Sequence, residues 1–412
     1  MSIDKLKKDY ELINIFCTLA EIPSPSLKED KVADKIINIL QKNSIQAKKD
    51  HFGNVIGKIS ATDNSKKTIL LSAHMDVVGD DSPVLMKLNG NYIETDKKRT
   101  LGADDKAGVA AAILLASEIK KDSTMKHGGI ELVFTRDEEH SMSGISNVNM
   151  KNLESEYILV LDADKKGDIL ISGASYTKVI LEVNAFKGGH SGIDIADKTR
   201  LNAVKLISEI VNDIPQGVYA QNELGVITSI NLGAIIGGGI NSAFDKLCEN
   251  IDAKENYQDI ILNSSMTNII NTKAGAIYSL RSSAKDSENK LIEEIQGIIH
   301  KFNDKYHGLA QAKITVKTHL MPFEKSEDET IIKTAKIASE QTNTNIKISS
   351  FHAGAETHIY ANNTNKYGKL FKPCLIGVAN IYNMHSADEK IDYKSYLEGY
   401  EFLKEIFKVY NS

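Results

Sequence analysis

Apolar residues recur at helical spacing from Asp4 to Ala20 (Leu6, Tyr10, Ile13, Cys17) and from Leu27 to Leu40 (Val32, Ile36, Leu40), which predicts two amphipathic helices at the start of the fold. Short continuous apolar runs follow at Thr68 to Ala73, Ile130 to Phe134, Tyr157 to Leu161 and Cys374 to Ala379. Such runs are the signature of strands buried on both faces. Between the first two of these strands, Ala107 to Ile119 reads as an Ala- and Leu-rich helix. Strands alternating with helices predict an α/β fold, a doubly wound, mostly parallel sheet with helices on both faces.

After Gly173 the texture changes to a strand-like Thr177 to Ala185, a helix from Asn202 to Val211, strands near Ile227 and Ile277, and a helix from Glu288 to Phe302. The α/β pattern resumes with a helix from Glu329 to Gln341. One α+β domain, residues 176–318, is therefore expected to interrupt a first domain made of 1–175 and 319–412, with Pro322 and its neighbours marking the return. The Gly237 to Gly239 run reads as a turn or flexible loop, and no internal repeat is evident.

The length, 412 residues, fits two to three domains at roughly 150 residues each. Fifty Lys and Arg against 55 Asp and Glu leave a net charge of −5, with no basic surplus for nucleic acid or a membrane surface. Cys17, Cys248 and Cys374 lie far apart without a CxxC pair, which argues against a disulfide framework or thiolate zinc site and for a reducing, cytoplasmic setting. Met1 to Tyr10 lacks the apolar stretch of a signal peptide, and no run is long enough to span a bilayer.

The chemistry gathers where the predicted strands end: His74 and Asp76, then Asp137, Glu138 and Glu139, then Asp162 and Asp164, and last His385. The carboxyl ends of parallel strands share one edge, where residues hundreds apart in sequence converge. Asp104, in a small-residue turn entering the Ala-rich helix, is a further ligand candidate. Imidazole and carboxylate without thiolate suit zinc, cobalt or manganese, and this many donors could hold two ions. Two cations need a bridging carboxylate, which Asp104 could supply, and can clamp a hydroxide as nucleophile. Glu138 and Glu139 could divide the work, one on metal and one on the water's proton.

The motifs Ser72 to Asp76 (SAHMD), Leu101 to Gly108 (LGADDKAG), Thr135 to Glu139 (TRDEE), Leu161 to Asp164 (LDAD), Lys187 to Gly192 (KGGHSG) and Asn383 to Glu389 (NMHSADE), in this order, resemble the M20 metallopeptidases. The resemblance covers nearly the whole chain and is nearest to peptidase T and the aminoacyl-histidine dipeptidases. It implies that His74 and Asp162 ligate one metal, Glu139 and His385 the other, and Asp104 bridges. It further implies that Asp76 orients His74, that Glu138 is the general base, and that His190 on the inserted domain stabilises the oxyanion, often across a dimer interface.

In that family the inserted domain is a lid that also dimerises. The implied function is hydrolysis of di- or tripeptides with a free N-terminus by a homodimer, with deacylation of N-acyl amino acids as the alternative. LGADDKAG resembles peptidase T, whereas KGGHSG, Ile214 to Leu232, Arg281 to Ser283 and His352 to Glu356 (HAGAE) look like the dipeptidases. The substrate contacts the resemblance suggests are Asn268, Arg281 and Gly354.

Some residues are set aside. Asp105 and Asp164 read as helix-cap or turn residues. His352 and His358 lie off helical spacing and read as pocket wall or surface rather than ligands. Gly53 to Lys58 (GNVIGK) is one residue short of a phosphate loop, and no GxSxG surrounds Ser191.

Overall fold

The computed structural model describes residues 2–237 and 268–412, and the chain divides into two compact units. Unit 1 comprises Met1–Gly173, Phe323–Ser350 and Ala355–Ser412, and unit 2 comprises Ala174–Pro322 and Phe351–Gly354. Gly238, Gly239 and Cys248 lie outside the described residues. Cys17 and Cys374 are buried free thiols.

Unit 1 is built on an eight-stranded sheet in the order Gln46–Lys49, Val55–Ile59, Ile130–Thr135, Ile69–His74, Tyr157–Val160, Lys372–Ile376, Asp168–Gly173, Lys347–Phe351. The four strands predicted from apolar runs lie side by side at its centre and are parallel to one another. The strands Ile69–His74, Ile130–Thr135 and Tyr157–Val160 are buried at every position, as expected of strands covered on both faces. The expected α/β sheet is thus present, flanked by the antiparallel pair Gln46–Lys49 and Val55–Ile59, and the GNVIGK segment runs into the second of these strands.

The helix Ala103–Lys121 is buried along almost its whole length, and its alanines let it pack closely on the sheet. Its first turn is broken by non-helical backbone angles at Asp104 and Asp105, and Gly102 just before it has a φ of 76° and a contact with Val77 that leave no room for a side chain. The first predicted helix is two, Ile3–Asp9 and Glu11–Ala20, because Tyr10 is extended and 39% exposed instead of joining the apolar stripe. The second starts later than expected, as Asp30–Lys42. Leu27 is exposed with a left-handed φ of 67°.

A small antiparallel sheet in unit 1, ordered Asn380–Tyr382, Lys390–Asp392, Tyr92–Thr95, Met86–Asn89, holds the base of the loop that carries His385. Tyr382 pairs with Lys390 at the mouth of that loop.

Unit 2 is a five-stranded antiparallel sheet in the order Gly217–Asn222, Gly225–Gly237, Lys273–Ser282, Tyr176–Ala185, Ala310–Leu320. One face packs on the helices Ala203–Asp213 and Lys285–Lys305 through Val179, Leu181, Tyr278, Leu280, Leu206 and Leu291. Asn202 caps the first of these helices by accepting from the N–H of Val204 at 2.9 Å. Among the described residues, no helix is long and apolar enough to cross a membrane.

Candidate metal centre

The parallel strands deliver their ends to one edge of the unit 1 sheet, and the side chains selected from the sequence meet there. His74 is the last residue of its strand, and its Nε2 lies 3.1 Å from Asp104 Oδ1 and 3.5 Å from Asp162 Oδ1. His385 Nε2 lies 3.1 Å from the other Asp104 oxygen, Oδ2, and 3.0 Å from Glu139 Oε2. Asp104 therefore presents one oxygen to each imidazole. Each imidazole in turn has a second carboxylate beside it. Such an arrangement could hold two cations that share Asp104.

Asp76 is engaged differently from the simple expectation. His74 Nδ1 is closer to the Asp76 backbone carbonyl, 3.0 Å, than to its carboxylate, 3.4 Å. The carboxylate instead accepts from the backbone N–H of Glu138 (2.9 Å) and Glu139 (3.2 Å) and from the Ser26 hydroxyl (2.7 Å). Asp76 thus ties the first functional turn to the second. The strand Ile130–Thr135 ends, Asp137 takes a left-handed φ of 56°, and Glu138–Ser141 form a helical turn. Ser141 and Ser143 donate to the Asp137 carboxylate and hold this turn.

Electrostatics mark the same cluster. Burial pushes the Glu138 carboxyl well above the ordinary carboxylate range, Glu139 up to about 7, and Asp162, also facing Asp104, up to about 6. Burial opposes the charge on Asp104 too, but His385 and His74 hold its pKa below the usual value. The hydrogen bond to Asp104 outweighs burial at His385 and raises it to about 9. Burial works against a charged His74, yet Asp162 and Asp104 prevail and hold it well above the usual value. So many acids in one buried nest need positive charge among them.

Divalent cations fit this nest by two tests. The donor set is imidazole plus carboxylate, and two buried oxygens, Glu139 Oε1 and Asp105 Oδ2, have no hydrogen-bond partner among the described residues. Ligand atoms of His74, Asp104 and Glu139 lie within 4.8 Å of one another, as do those of His74, Asp105 and Asp162. Asp105, set aside in the sequence as a cap, does accept from Gly108 N at 3.0 Å near the helix start, but it also faces the nest.

Sequence reasoning assigns no role to Glu389, which lies inside the NMHSADE motif. It is buried and accepts from Thr100 Oγ1 and from the N–H of Gly102 (2.7 Å) and Asp104 (3.1 Å), so it sets the turn that presents Asp104. Glu356 is another buried acid, pushed by burial up to about 7, with the Ser72 hydroxyl at 3.3 Å. His358 is not at the surface: it is buried against the Ala355 backbone and edge-on to Phe323.

The remaining candidates lie in unit 2. His190 sits in a two-residue ladder, Gly189–His190 with Ile269–Ile270, and is exposed. Its Nδ1 accepts from the N–H of Gly192 (3.0 Å) and Ile193 (3.2 Å), which leaves the proton on Nε2 as a donor. The Asn268 carbonyl accepts from Ser191 N at 2.8 Å. Arg281 stacks over Tyr176 at 5.1 Å and pairs across the sheet with Ser229, whose hydroxyl meets His352 Nε2 at 2.6 Å. Gly354 follows two residues after His352.

The model of peptidase family M20/M25/M40 matches residues 70–409, and the chain belongs to that family. The cytosol non-specific dipeptidase of Escherichia coli K12 is 25% identical over 214 residues, 45% of this chain and 43% of the relative, so the match spans less than half the relative's length. The crystal structure of aminopeptidase PepT from Bacillus cereus superposes with a TM-score of 0.79 at 20% identity, covering 97% of this chain and 98% of the other. Aminoacylhistidine dipeptidase from Vibrio alginolyticus does so with a TM-score of 0.68 at 19% identity, covering 96% of each chain. These two likenesses are likenesses of fold.

Proposed function

We propose that this protein hydrolyses the peptide bond of di- or tripeptides with a free N-terminus, using two divalent cations held by His74 and Asp162 on one side, Glu139 and His385 on the other, and Asp104 between. The observation that carries the reading is that the two oxygens of Asp104 face one imidazole each, at 3.1 Å in both cases. Zinc is the first choice of cation, with cobalt or manganese as alternatives. When bound, the cations supply an activated water and polarise the scissile carbonyl.

The chain's own residues do the rest. Glu138 takes the water's proton and returns it to the leaving amine, a task suited to a buried carboxyl whose pKa lies above the usual range. His190 donates from Nε2 to the oxygen that gains charge in the transition state. Asn268, Arg281 and Gly354 contact the substrate, and Arg281 is a natural partner for a carboxylate because its guanidinium makes no ion pair among the described residues. Unit 2 acts as lid and dimerisation domain of a cytoplasmic homodimer. The domain reading 1–175, 176–318 and 319–412 belongs to this proposal.

Two outcomes check the supporting roles. His190→Ala is expected to lower kcat by about 10²- to 10³-fold while circular dichroism and bound metal stay unchanged. Loss of fewer than a few-fold would remove His190 from the mechanism. The second concerns pH. Glu139 and Asp162 hold protons more tightly when folded, up to about 7 and about 6, than in the unfolded chain, near about 4. Their contribution to metal-free stability is complete below that unfolded value and is lost as pH rises through the folded values. Cations replace those protons, stabilising by about 2.7 kcal/mol at a concentration 100-fold above Kd. The rise in Tm on adding zinc is therefore expected to be larger near pH 7.5 than near pH 5. An equal rise would contradict it.

The direct test is a panel of free and N-acetylated di- and tripeptides assayed with the metal-loaded protein. Cleavage of the free peptides is expected. Cleavage of only the acetylated ones would transfer the protein to the deacylases.

A further inference from the structure

The segment from Ile22 to Glu29 joins the helices Glu11–Ala20 and Asp30–Lys42 and has no regular structure of its own. Its hydrogen bonds reach three functional turns of unit 1. At the His74–Asp76 turn, the Ser24 hydroxyl donates to the Met75 carbonyl (2.8 Å), the Ser24 carbonyl accepts from Val77 N (3.0 Å), and the Ser26 hydroxyl donates to Asp76 Oδ2 (2.7 Å). At the Asp104 turn, the buried Lys106 ammonium donates to the Ile22 carbonyl (2.6 Å). At the Glu138–Glu139 turn, Glu29 Oε2 accepts from Arg136 Nε (2.6 Å), while Oε1 accepts from Asp137 N (3.1 Å) and Leu27 N (2.7 Å). Arg136 closes the loop by donating from Nη2 to the Leu27 carbonyl (2.8 Å).

Glu29 is fully buried, and both of its carboxylate oxygens accept from these donors. Asp137 is the left-handed residue at which the chain turns from strand into the Glu138–Glu139 helical turn. A carboxylate gripping the N–H of that residue and the side chain before it fixes the turn from one side. Asp76, aimed by Ser26, grips the N–H groups of Glu138 and Glu139 from the other. The acid pair is thus clamped by a segment that contributes nothing to the nest itself.

We propose that Glu29 and Ser26 are positioning residues that set the Glu138–Glu139 turn, Glu29 through Arg136 and Asp137 and Ser26 through Asp76. The inference rests on the reading of Glu138 as base and Glu139 as ligand. Supporting contacts of this kind are worth about 10- to 100-fold in metal affinity or activity, because a ligand misdirected by a fraction of an ångström binds poorly.

The test is calorimetric zinc titration and steady-state kinetics on Glu29→Gln, Ser26→Ala and Ser26→Thr. Glu29→Gln is expected to weaken one of two zinc-binding steps by about 10- to 100-fold and leave the other unchanged. Ser26→Ala is expected to lower kcat about 10-fold with KM within about twofold, and Ser26→Thr, which keeps the hydroxyl, to restore it. A lower Tm with both zinc steps and kcat as in wild type would show a merely structural segment and overturn the proposal. Should Glu29→Gln fail to fold, the Ser26 pair decides alone: wild-type kcat in Ser26→Ala overturns it. Failure of the underlying reading looks different, since wild type itself would then lack two zinc steps.

Discussion

Glu138→Ala is expected to keep two bound cations per chain and to lose about 10²- to 10⁴-fold in kcat, the usual worth of a positioned general base. The two halves of this result come from different atoms. The Glu138 carboxylate is absent from the imidazole and carboxylate contacts that converge on Asp104, so removing it leaves the donor set whole. Its backbone N–H still donates to Asp76, so the turn that carries Glu139 persists. What disappears is a buried acid able to take and return a proton. Glu138→Gln separates charge from shape: it fills the same space without basicity and is expected to be as slow as the alanine variant. Near wild-type turnover in either, measured with metal content on the same sample, would remove Glu138 as the base.

Asp104→Ala should be more damaging because it touches both halves of the nest. Each of its oxygens faces one imidazole, so the substitution removes a donor from both positions, and it also removes the negative charge that supports His74 and His385. The expected outcome is loss of both cations at micromolar zinc and a fall in kcat/KM of more than ~100-fold, beyond what the loss of a supporting contact produces. By contrast, His385→Ala should release one cation and retain the other. If Asp104→Ala bound two zinc ions with wild-type affinity, the shared-bridge arrangement would be wrong. The pairing is not additive: a double variant of Asp104 and Glu138 should be little slower than Asp104→Ala alone.

The central strands were legible in the sequence because a strand buried on both faces shows an unbroken apolar run, as in Ile130–Thr135 and Tyr157–Val160. Once those runs were aligned as parallel neighbours, the polar residues just beyond them had to meet at one edge, and His74, Glu139 and Asp162 do. Exposed elements left no such mark. Gln46–Lys49 alternates between exposed and half-buried positions in a polar sequence, and Ala310–Leu320 buries only part of its length, so neither stands out from loop. The break at Tyr10 escaped for the opposite reason: its aromatic ring fits the apolar period, but the chain there is extended.

The supporting residues were hidden by a different cause. Glu29, Ser26 and Glu389 act by satisfying backbone N–H groups or aiming another carboxylate, and such partners are defined only once the chain has folded. Glu389 stood in a quoted motif without a task, and Glu29 stood in none. Asp105 shows the limit of spacing arguments from the other side. It fills the cap role expected of it at Gly108, while its second oxygen is buried without a hydrogen-bond partner among the described residues and its carboxylate comes within 4.8 Å of ligand atoms of His74 and Asp162.

The most direct measurement is an anomalous difference map from crystals of the zinc-loaded protein, collected at the zinc absorption edge. The account predicts two peaks about 3.5–4 Å apart on either side of the Asp104 carboxylate, one beside His74 and Asp162 and one beside Glu139 and His385. A single peak, or two that do not share Asp104, would contradict it.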